Sequence, residues 1–307
     1  PNHFYRDLND TKYDFKLDYK QPFGTREGSH VKFGALASLK NRDFSEYRVK
    51  VAKAPKPTTD INTDWGGYLG DFGVELTSPF TASNYFVDDT RLSNIYTGHE
   101  NILGAYGMIV HDFTSKLKVI AGVRVESTDI EVTSADTTLN TGRINKVDPL
   151  PSLNLIYSLS DNSNLRFSAS QTIARPNMRE MAPFFSFDFL GGFLYSGNDS
   201  LDRTLIQNFD LRWELFNKPG EMVAVSVYYK NFMNPIVRVF SPISSTGEIT
   251  FENLDRAVVY GAELEWRKNL NFISESLNNF RVAANLSYIY SEVAIPTKDL
   301  ESIERNG

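Results

Sequence analysis

The sequence predicts an all-β fold, part of an antiparallel, up-and-down transmembrane β-barrel of about ten strands. Three observations predict this class: apolar and polar side chains alternate in many segments, connections alternate between short and long, and aromatic residues recur beside the short connections. Aromatic residues make up 13% of the 307 residues, which favours pleated surfaces and membrane boundaries over disorder. We therefore treat 1–307 as part of one barrel domain.

The clearest strand is predicted near the start of the chain, where Tyr13, Phe15, Leu17 and Tyr19 alternate with charged residues. Alternation with a period of two indicates a strand with one apolar face. The segment 102–110 is also predicted as a strand, although it is apolar on both faces. The remaining predicted strands lie near 31–39, 117–133, 153–157, 165–169, 209–215, 223–229, 260–266 and 280–288.

The connections between these strands fall into two classes. Short turns are predicted at 112–116, 160–163 and 217–220, and long excursions at 41–98 and 173–204. Short turns at one end and long loops at the other are typical of an outer-membrane barrel, with periplasmic turns and extracellular loops. Two joins fit this scheme less well, because 269–279 is long for a turn and 134–141 is short for a loop.

The lengths of the predicted strands also favour a membrane. The apolar face that begins at Leu117 ends at Val125 and then becomes polar at Ser127 and Asp129. Its apolar part has about the length that a tilted strand needs to cross a bilayer, roughly 9–11 residues. Segments 221–240 and 248–268 are predicted as continuous strands of about 20 residues, whereas strands of globular proteins usually stop at about 10.

The two faces of the predicted strands differ in character. Aromatic residues near the short turns would form a girdle at one level: Tyr19, Phe113, Tyr157, Trp213, Trp266 and Phe280. Charged residues on the opposite face would make a wet lumen: Arg124, Glu126, Arg166, Asp210, Arg212, Glu214, Glu263, Glu265 and Arg267. A soluble antiparallel sheet protein would show the same alternation, and the loop asymmetry, girdle and strand length favour the barrel over it.

Few residues of the chain point to chemistry. There is no cysteine, and the four histidines have no metal-ligand spacing, so we expect no metal site and no cofactor. No nucleophile elbow, phosphate-binding loop or dinucleotide fingerprint follows a predicted strand, so we expect no enzyme. The net charge of −6 is spread along the chain, which excludes a basic footprint for nucleic acid.

The loop at 173–204 is the main candidate for ligand binding. An aromatic-rich loop at the mouth of a barrel could form a stacking surface for a sugar or an aromatic chelator. The alternative interpretation is that these aromatic residues pack on one another and steady the loop, because a long ordered loop needs its own core. The candidate ligand-binding residues of this loop are Arg175, Phe184, Phe185, Phe187, Phe189, Phe193 and Tyr195. Trp65 and Tyr68 in the other long loop are candidates as well, and the same two interpretations apply to them.

The same region resembles a known family. Its residues are Ser168-Ala169-Ser170-Gln171-Thr172-Ile173-Ala174-Arg175-Pro176, then Arg179-Glu180, Ala182-Pro183-Phe184, Gly197-Asn198-Asp199-Ser200-Leu201 and Asn208-Phe209-Asp210-Leu211. This order resembles TonB-dependent outer-membrane receptors of a Bacteroidetes-like type, in which a proline usually stands where this chain has Asp199. Barrel strands similar to the family's occur in the same order at 122–126, 228–232 and 259–265.

The resemblance implies a barrel of about 22 strands closed by an N-terminal plug. It also implies that energy comes from the inner-membrane TonB complex, acting through the plug. Neither a plug, a TonB-box segment nor a final strand with a terminal aromatic is recognisable, so we expect a C-terminal barrel fragment, roughly half of the wall.

The predicted role of the parent protein is import of a scarce ligand across the bacterial outer membrane. The ligands that the resemblance implies are a ferric siderophore, haem, cobalamin or an oligosaccharide, and the expected partners are outer-membrane lipid, the TonB complex and a small-molecule ligand such as a metal chelate or oligosaccharide. Two alternatives remain open: a passive porin or fatty-acid-type channel, and a soluble antiparallel-sheet binding module.

Overall fold

The computed structural model describes residues 2–24, 28–53, 84–187, 194–240, 248–277 and 279–294. Within them, eleven strands form one antiparallel sheet, which we call the wall sheet. Its strands are β1 (Asn2–Pro22), β2 (His30–Lys53), β3 (Asn84–Asp88), β4 (Ile95–Asp112), β5 (Leu117–Ser134), β6 (Gly142–Ser160), β7 (Ser163–Ala174), β10 (Thr204–Phe216), β11 (Met222–Met233), β14 (Arg256–Asn269) and β15 (Arg281–Val293).

Four short strands form a second sheet, which we call the rim sheet. It consists of β8 (Ser186–Phe187), β9 (Leu194–Tyr195), β12 (Ile236–Phe240) and β13 (Glu248–Asn253). The described helical segments are one α-helical turn, α1 (Met178–Met181), and three 3-10 turns, Leu92–Asn94, Leu270–Phe272 and Glu275–Leu277.

The wall sheet follows the order β1-β2-β4-β5-β6-β7-β10-β11-β14-β15, so strands that follow one another in the chain are also neighbours in space. The short strand β3 lies off this path and pairs with the last residues of β2. This is an up-and-down meander, and each predicted strand has its counterpart in it. The all-β class and the number of about ten wall strands are therefore confirmed.

The bounds of several strands differ from the prediction. The strand predicted near 31–39 extends to Lys53, β4 begins at Ile95 and β3 lies between them, so 41–98 is not a loop throughout. Cross-strand pairs such as Arg42 with Asp10, whose atoms lie 2.6 Å apart, keep β1 and β2 extended beyond their apolar part.

The two predicted strands of about 20 residues are broken, which corrects that prediction. One ends as β11 and resumes as β12 after Asn234, whose φ of 54° is left-handed, and Pro235, which has no amide hydrogen for a ladder. The other is interrupted between β13 and β14 at Leu254 and Asp255. The outer pieces, β12 and β13, pair with each other and leave the wall for the rim sheet.

The wall sheet exposes large apolar side chains on one face, which we call the outer face. Leu17, for example, is 74% exposed, and Leu286 on the last strand is 69% exposed. A single sheet layer cannot bury such residues in a protein core, whereas a barrel wall turns them toward lipid. At the level of the predicted girdle, Tyr157 and Trp213 both pair with Leu165.

The opposite, inner face carries charged side chains in a connected series. Arg166 and Arg212 each bind Glu214 at 2.8 Å, and Arg212 also reaches Glu265 at 3.0 Å. Arg267 completes the series at 2.5 Å from Glu265. The prediction of a charged inner face is confirmed, and its charges are paired across β7, β10 and β14 as a polar lumen requires.

The two ends of the wall differ as predicted. At what we call the turn end, short connections join the strands at 113–116, 161–162 and 217–221. At the opposite, loop end, the connection between β7 and β10 carries α1 and two strands of the rim sheet. In the described part of the chain, no helix has the length and apolar character that a membrane-spanning helix needs.

Candidate functional site

The inner face changes character at the loop end, where charged positions give way to apolar ones. Along β5 the inner positions Arg124 and Glu126 are followed by Ile130 and Val132, which are both fully buried. The neighbouring strands contribute Tyr96 and Phe44, whose rings are stacked with centroids 5.0 Å apart. Because all of these positions share the inner face, whatever covers them must lie over the lumen side of the wall.

The loop between β7 and β10 supplies that cover. Its buried side chains are Met178, Met181, Ala182, Phe184 and Leu201, and they pack on the wall residues Tyr96, Ile130, Val132 and Ile144. Phe251 of the rim sheet completes this cluster, which we call the rim core. The main apolar core of the described residues therefore lies at the loop end and not within the wall.

The helical turn α1 is specified by its own sequence. Pro176 precedes Asn177, whose side chain accepts a hydrogen bond from the Glu180 amide at 3.0 Å. The Glu180 carboxylate accepts one from the Asn177 amide at 2.9 Å, which completes a capping box. This short turn places Met178 and Met181 on the same side, toward the rim core.

The turn that follows the rim strand β9 clamps α1 to the rim sheet. The Asn198 amide donates to the Glu180 carbonyl at 2.7 Å, and the Asn198 side chain donates to the Phe251 carbonyl at 2.8 Å. Position 197, directly before Asn198, must be glycine. A Cβ on Gly197 would meet the backbone of Ala182 and would lie 2.9 Å from the backbone oxygen of Glu180.

Buried ion pairs hold both ends of the loop to the wall. At its start, Arg175 donates to Glu126 at 2.5 Å and to Thr128 at 2.8 Å. At its end, Arg203 binds Asp148, which is nearly inaccessible, at 2.6 Å. Since a buried carboxylate without its partner is strongly unfavourable, these pairs fix where the loop begins and ends.

A cluster of guanidinium groups lies beside the rim core on the inner face. Glu46 is fully buried, and its two oxygens are both occupied: Arg6 donates at 2.7 Å, Asn94 donates at 2.5 Å and Arg48 lies 3.5 Å away. Arg48 also lies 3.8 Å from Asp89, and its Nε atom is buried without a hydrogen-bond partner among the described residues.

Arg179 of α1 is the third cation of this group. Its guanidinium lies 4.3 Å from the centre of the Phe184 ring, and that of Arg6 lies 5.7 Å from the same ring. Arg179 donates to the Phe184 carbonyl at 3.1 Å, but no ion pair joins it to a carboxylate within the described residues. Burial lowers the pKa of Arg179 to about 10, and the charge of Arg6 acts in the same direction.

The predicted site residues have different surroundings. Phe184 is 2% exposed and belongs to the rim core, as the packing interpretation predicts. Arg175 is held by the wall, and Phe185 is half-buried. Tyr195 lies on β9 with the Arg238 guanidinium 6.0 Å from its ring centre. The binding role predicted for these residues stays a prediction.

Four of the predicted residues lie beyond what the structure describes. Trp65 and Tyr68 fall within 54–83, and Phe189 and Phe193 fall within 188–193. For Phe187 the backbone is described as part of β8, and its side chain is not.

The arginine residues beside the rim core were not predicted from the sequence. The sequence contained a signal for Arg6 and Arg48, because period-two alternation places Arg6 on the inner face of β1 and Arg48 on the inner face of β2. The same alternation places Glu46 on the inner face of β2. Only pairing of the two strands shows that these positions meet, since Arg6 lies directly opposite Glu46. In the described ranges, no group of three metal-ligating side chains comes together.

Comparison with known proteins gives two findings. A family model described as "Outer membrane protein beta-barrel family" matches residues 41–306. No curated protein matches the chain.

Solved structures with a similar fold include a transporter and receptors. They include a copper transporter (14% identity, TM-score 0.62, 94% of this chain and 38% of that one). They also include the alcaligin outer-membrane receptor from Bordetella pertussis (14% identity, TM-score 0.55, 95% of this chain and 40% of that one). A third is a ferric enterobactin receptor mutant from Pseudomonas aeruginosa in complex with enterobactin (16% identity, TM-score 0.54, 93% of this chain and 36% of that one). The chain thus spans less than half the length of each, and the likeness concerns the fold.

Proposed function

The chain belongs to the outer membrane protein beta-barrel family, and on that premise we propose that it forms part of the wall of a receptor that imports a scarce ligand with energy from the TonB complex. Its place in the outer membrane and its relation to TonB-dependent receptor barrels follow from the family and the fold. Membership of this family sets aside the alternative of a soluble binding module.

One observation carries the proposal: the long loop between β7 and β10 folds inward and packs on the lumen face of the wall. A loop that only capped the barrel edge would not need inner-face partners such as Tyr96 and Ile130. Folded inward, it narrows the mouth and presents side chains to whatever enters, which suits capture of one ligand more than free diffusion.

The paired charges below the rim core support the same role. In the described part of the wall, Arg166, Arg212 and Arg267 share the carboxylates of Glu214 and Glu265 along the lumen face. Because each of these charges already has a partner on the wall, a released ligand can pass along a polar surface without being held strongly. The proposed role needs binding and passage only, and we propose no catalytic residue.

The ligand is proposed by class alone. The similar structures are a copper transporter and receptors for alcaligin and enterobactin. We propose that the ligand is a metal chelate such as a ferric siderophore, with haem, cobalamin and an oligosaccharide as the other candidates. The loop end would face the outside of the cell, and the predicted aromatic residues Phe185 and Tyr195 would contribute to the ligand site.

The experiment is uptake in bacteria with and without the gene, using radiolabelled ferric siderophores, haem, cobalamin and oligosaccharides. Each uptake assay is repeated after a protonophore removes the energy supply. The proposal expects uptake of one ligand class that depends on the gene and stops with the protonophore. Uptake that continues in the presence of the protonophore would instead support a passive channel, and no dependence on the gene for any ligand would overturn both.

A further inference from the structure

Two neighbouring connections at the loop end are joined to each other as well as to the wall. The first loop connects β7 to β10, and the second loop connects β11 to β14. Each loop contributes two strands to the rim sheet, and β9 of the first loop pairs in parallel with β13 of the second. We call the described residues of both loops, 175–187, 194–203, 234–240 and 248–255, the rim unit.

The seam between β9 and β13 contains buried hydrogen bonds. The Ser196 amide donates to the Ile249 carbonyl at 2.9 Å, and the Ser196 hydroxyl donates to the Glu248 carboxylate at 2.6 Å. Ser196 is 6% exposed, so water has little access to these bonds while the loops are in place. A partial separation of the loops would leave buried donors without acceptors, which is unfavourable.

Asn253, the last residue of β13, forms a second link between the loops. Its side chain accepts a hydrogen bond from the Asp202 amide at 2.7 Å and donates one to the Asp202 carbonyl at 3.0 Å. It also donates to the Asn234 carbonyl at 2.8 Å. Asp202 lies at the end of the first loop and Asn234 at the start of the second, so one side chain holds the end of the first loop to both ends of the second.

The two loops also share one apolar core. Phe251 of the second loop belongs to the rim core together with Met178 and Phe184 of the first, and Ile236 of the second loop packs against the same core. The Asn198 side chain of the first loop donates to the Phe251 carbonyl at 2.8 Å. Because one core serves both loops, departure of either loop would remove packing partners from the other.

We propose that the rim unit is a single cooperative body, in which the two loops leave the wall together or not at all, and that Asn253 is the latch that couples them. A ligand that contacts either loop therefore changes the opening of both. This inference goes beyond the proposed function, because it concerns the chain without a ligand. Failure of the uptake experiment would leave it standing.

The test is hydrogen exchange of the full-length protein in detergent, as the wild type and as Asn253→Ala. The reporter in the first loop is the Ala182 amide, which donates to the Met178 carbonyl of α1 at 2.9 Å. The reporter in the second loop is the Leu254 amide, which donates to the Pro235 carbonyl at 2.9 Å. In the described part of the chain, no hydrogen bond joins Asn253 to α1. We expect exchange at both amides to accelerate by the same factor, about tenfold or more, because three hydrogen bonds are lost.

The matched control is Glu252→Ala, because Glu252 precedes Asn253 on β13 and is exposed, so both exchange rates should stay unchanged. A heat-modifiability gel shows whether each variant is folded. If Asn253→Ala does not fold, Asn253→Asp decides, because it keeps the acceptor for the Asp202 amide and loses the two donors. Acceleration at Leu254 alone would overturn the proposal, since the loops would then open independently. Unchanged exchange at both amides would overturn it as well, and so would equal acceleration along β5, which reports the wall.

Discussion

Replacement of Phe184 by alanine tests whether this aromatic residue is a structural anchor of the loop. The ring is 2% exposed, contacts Phe44 at a centroid distance of 4.8 Å and is covered by Arg179 at 4.3 Å. Truncation of a fully buried phenylalanine costs about 3–5 kcal/mol. Loss of the contact with Arg179 adds about 0.5–2 kcal/mol.

The substitution lowers the free energy that holds the loop between β7 and β10 on the wall. It should therefore be measured as local opening of this loop and not as unfolding of the wall. The reporters are the amides of Ser196 and Asn198, which donate to Ile249 at 2.9 Å and to Glu180 at 2.7 Å. Since about 1.4 kcal/mol corresponds to a tenfold change, hydrogen exchange at these amides should accelerate about a hundredfold or more.

The matched control is the adjacent Phe185→Ala, which removes a half-buried ring of the same size. Its exchange rates should rise less than tenfold, because a partly exposed ring loses little burial (about 1 kcal/mol). Unchanged exchange in the Phe184→Ala protein would refute the reasoning, and so would equal acceleration by both substitutions.

Three further predictions concern other parts of the fold. Gly197→Ala should release α1, because the new Cβ would meet the Ala182 backbone, and limited proteolysis within the loop should become faster by about tenfold or more. Gly34→Ala should lower the yield of folded barrel in a heat-modifiability gel, because its Cβ would lie 2.8 Å from a backbone oxygen of the neighbouring strand. The pKa of Asp136 lies below its ordinary value because the hydroxyl and the amide of Thr138 donate hydrogen bonds to its carboxylate. The turn around Asp136 should therefore lose stability as the pH falls through that lowered pKa. Hydrogen exchange of the Thr138 amide should show this loss in acid and not at neutral pH.

The wall could be predicted from the sequence because its determinant is local. Alternation along a segment such as Tyr13 to Tyr19 defines a strand and its two faces without knowledge of its neighbours. Up-and-down connection then follows from short turns, and the charged inner positions follow from the same alternation, as the pairs of Arg212 show.

The rim could not be predicted in the same way, because it depends on contacts between distant segments. β13 pairs in parallel with β9 across more than fifty residues, and no local pattern signals this pairing. One local signal was present: the Asn234-Pro235 pair marks a turn and is incompatible with an uninterrupted strand. The meeting of Arg6, Arg48 and Arg179 beside the rim core could not be predicted either, because it depends on the register of β1 with β2 and on the docked position of α1.

The central claim is that one face of the wall meets lipid and the other meets the lumen. Because the chain contains no cysteine, single cysteines can be introduced along β5 from Lys118 to Asp129 and spin-labelled in the full-length protein in liposomes. Accessibility to molecular oxygen, which concentrates in lipid, should be high at Val119, Ala121, Val123 and Val125, low at the positions between them, and lost from Ser127 onward. Oxygen accessibility without this alternation, or an outer face accessible to a water-soluble nickel chelate at Val119 to Val125, would contradict the account.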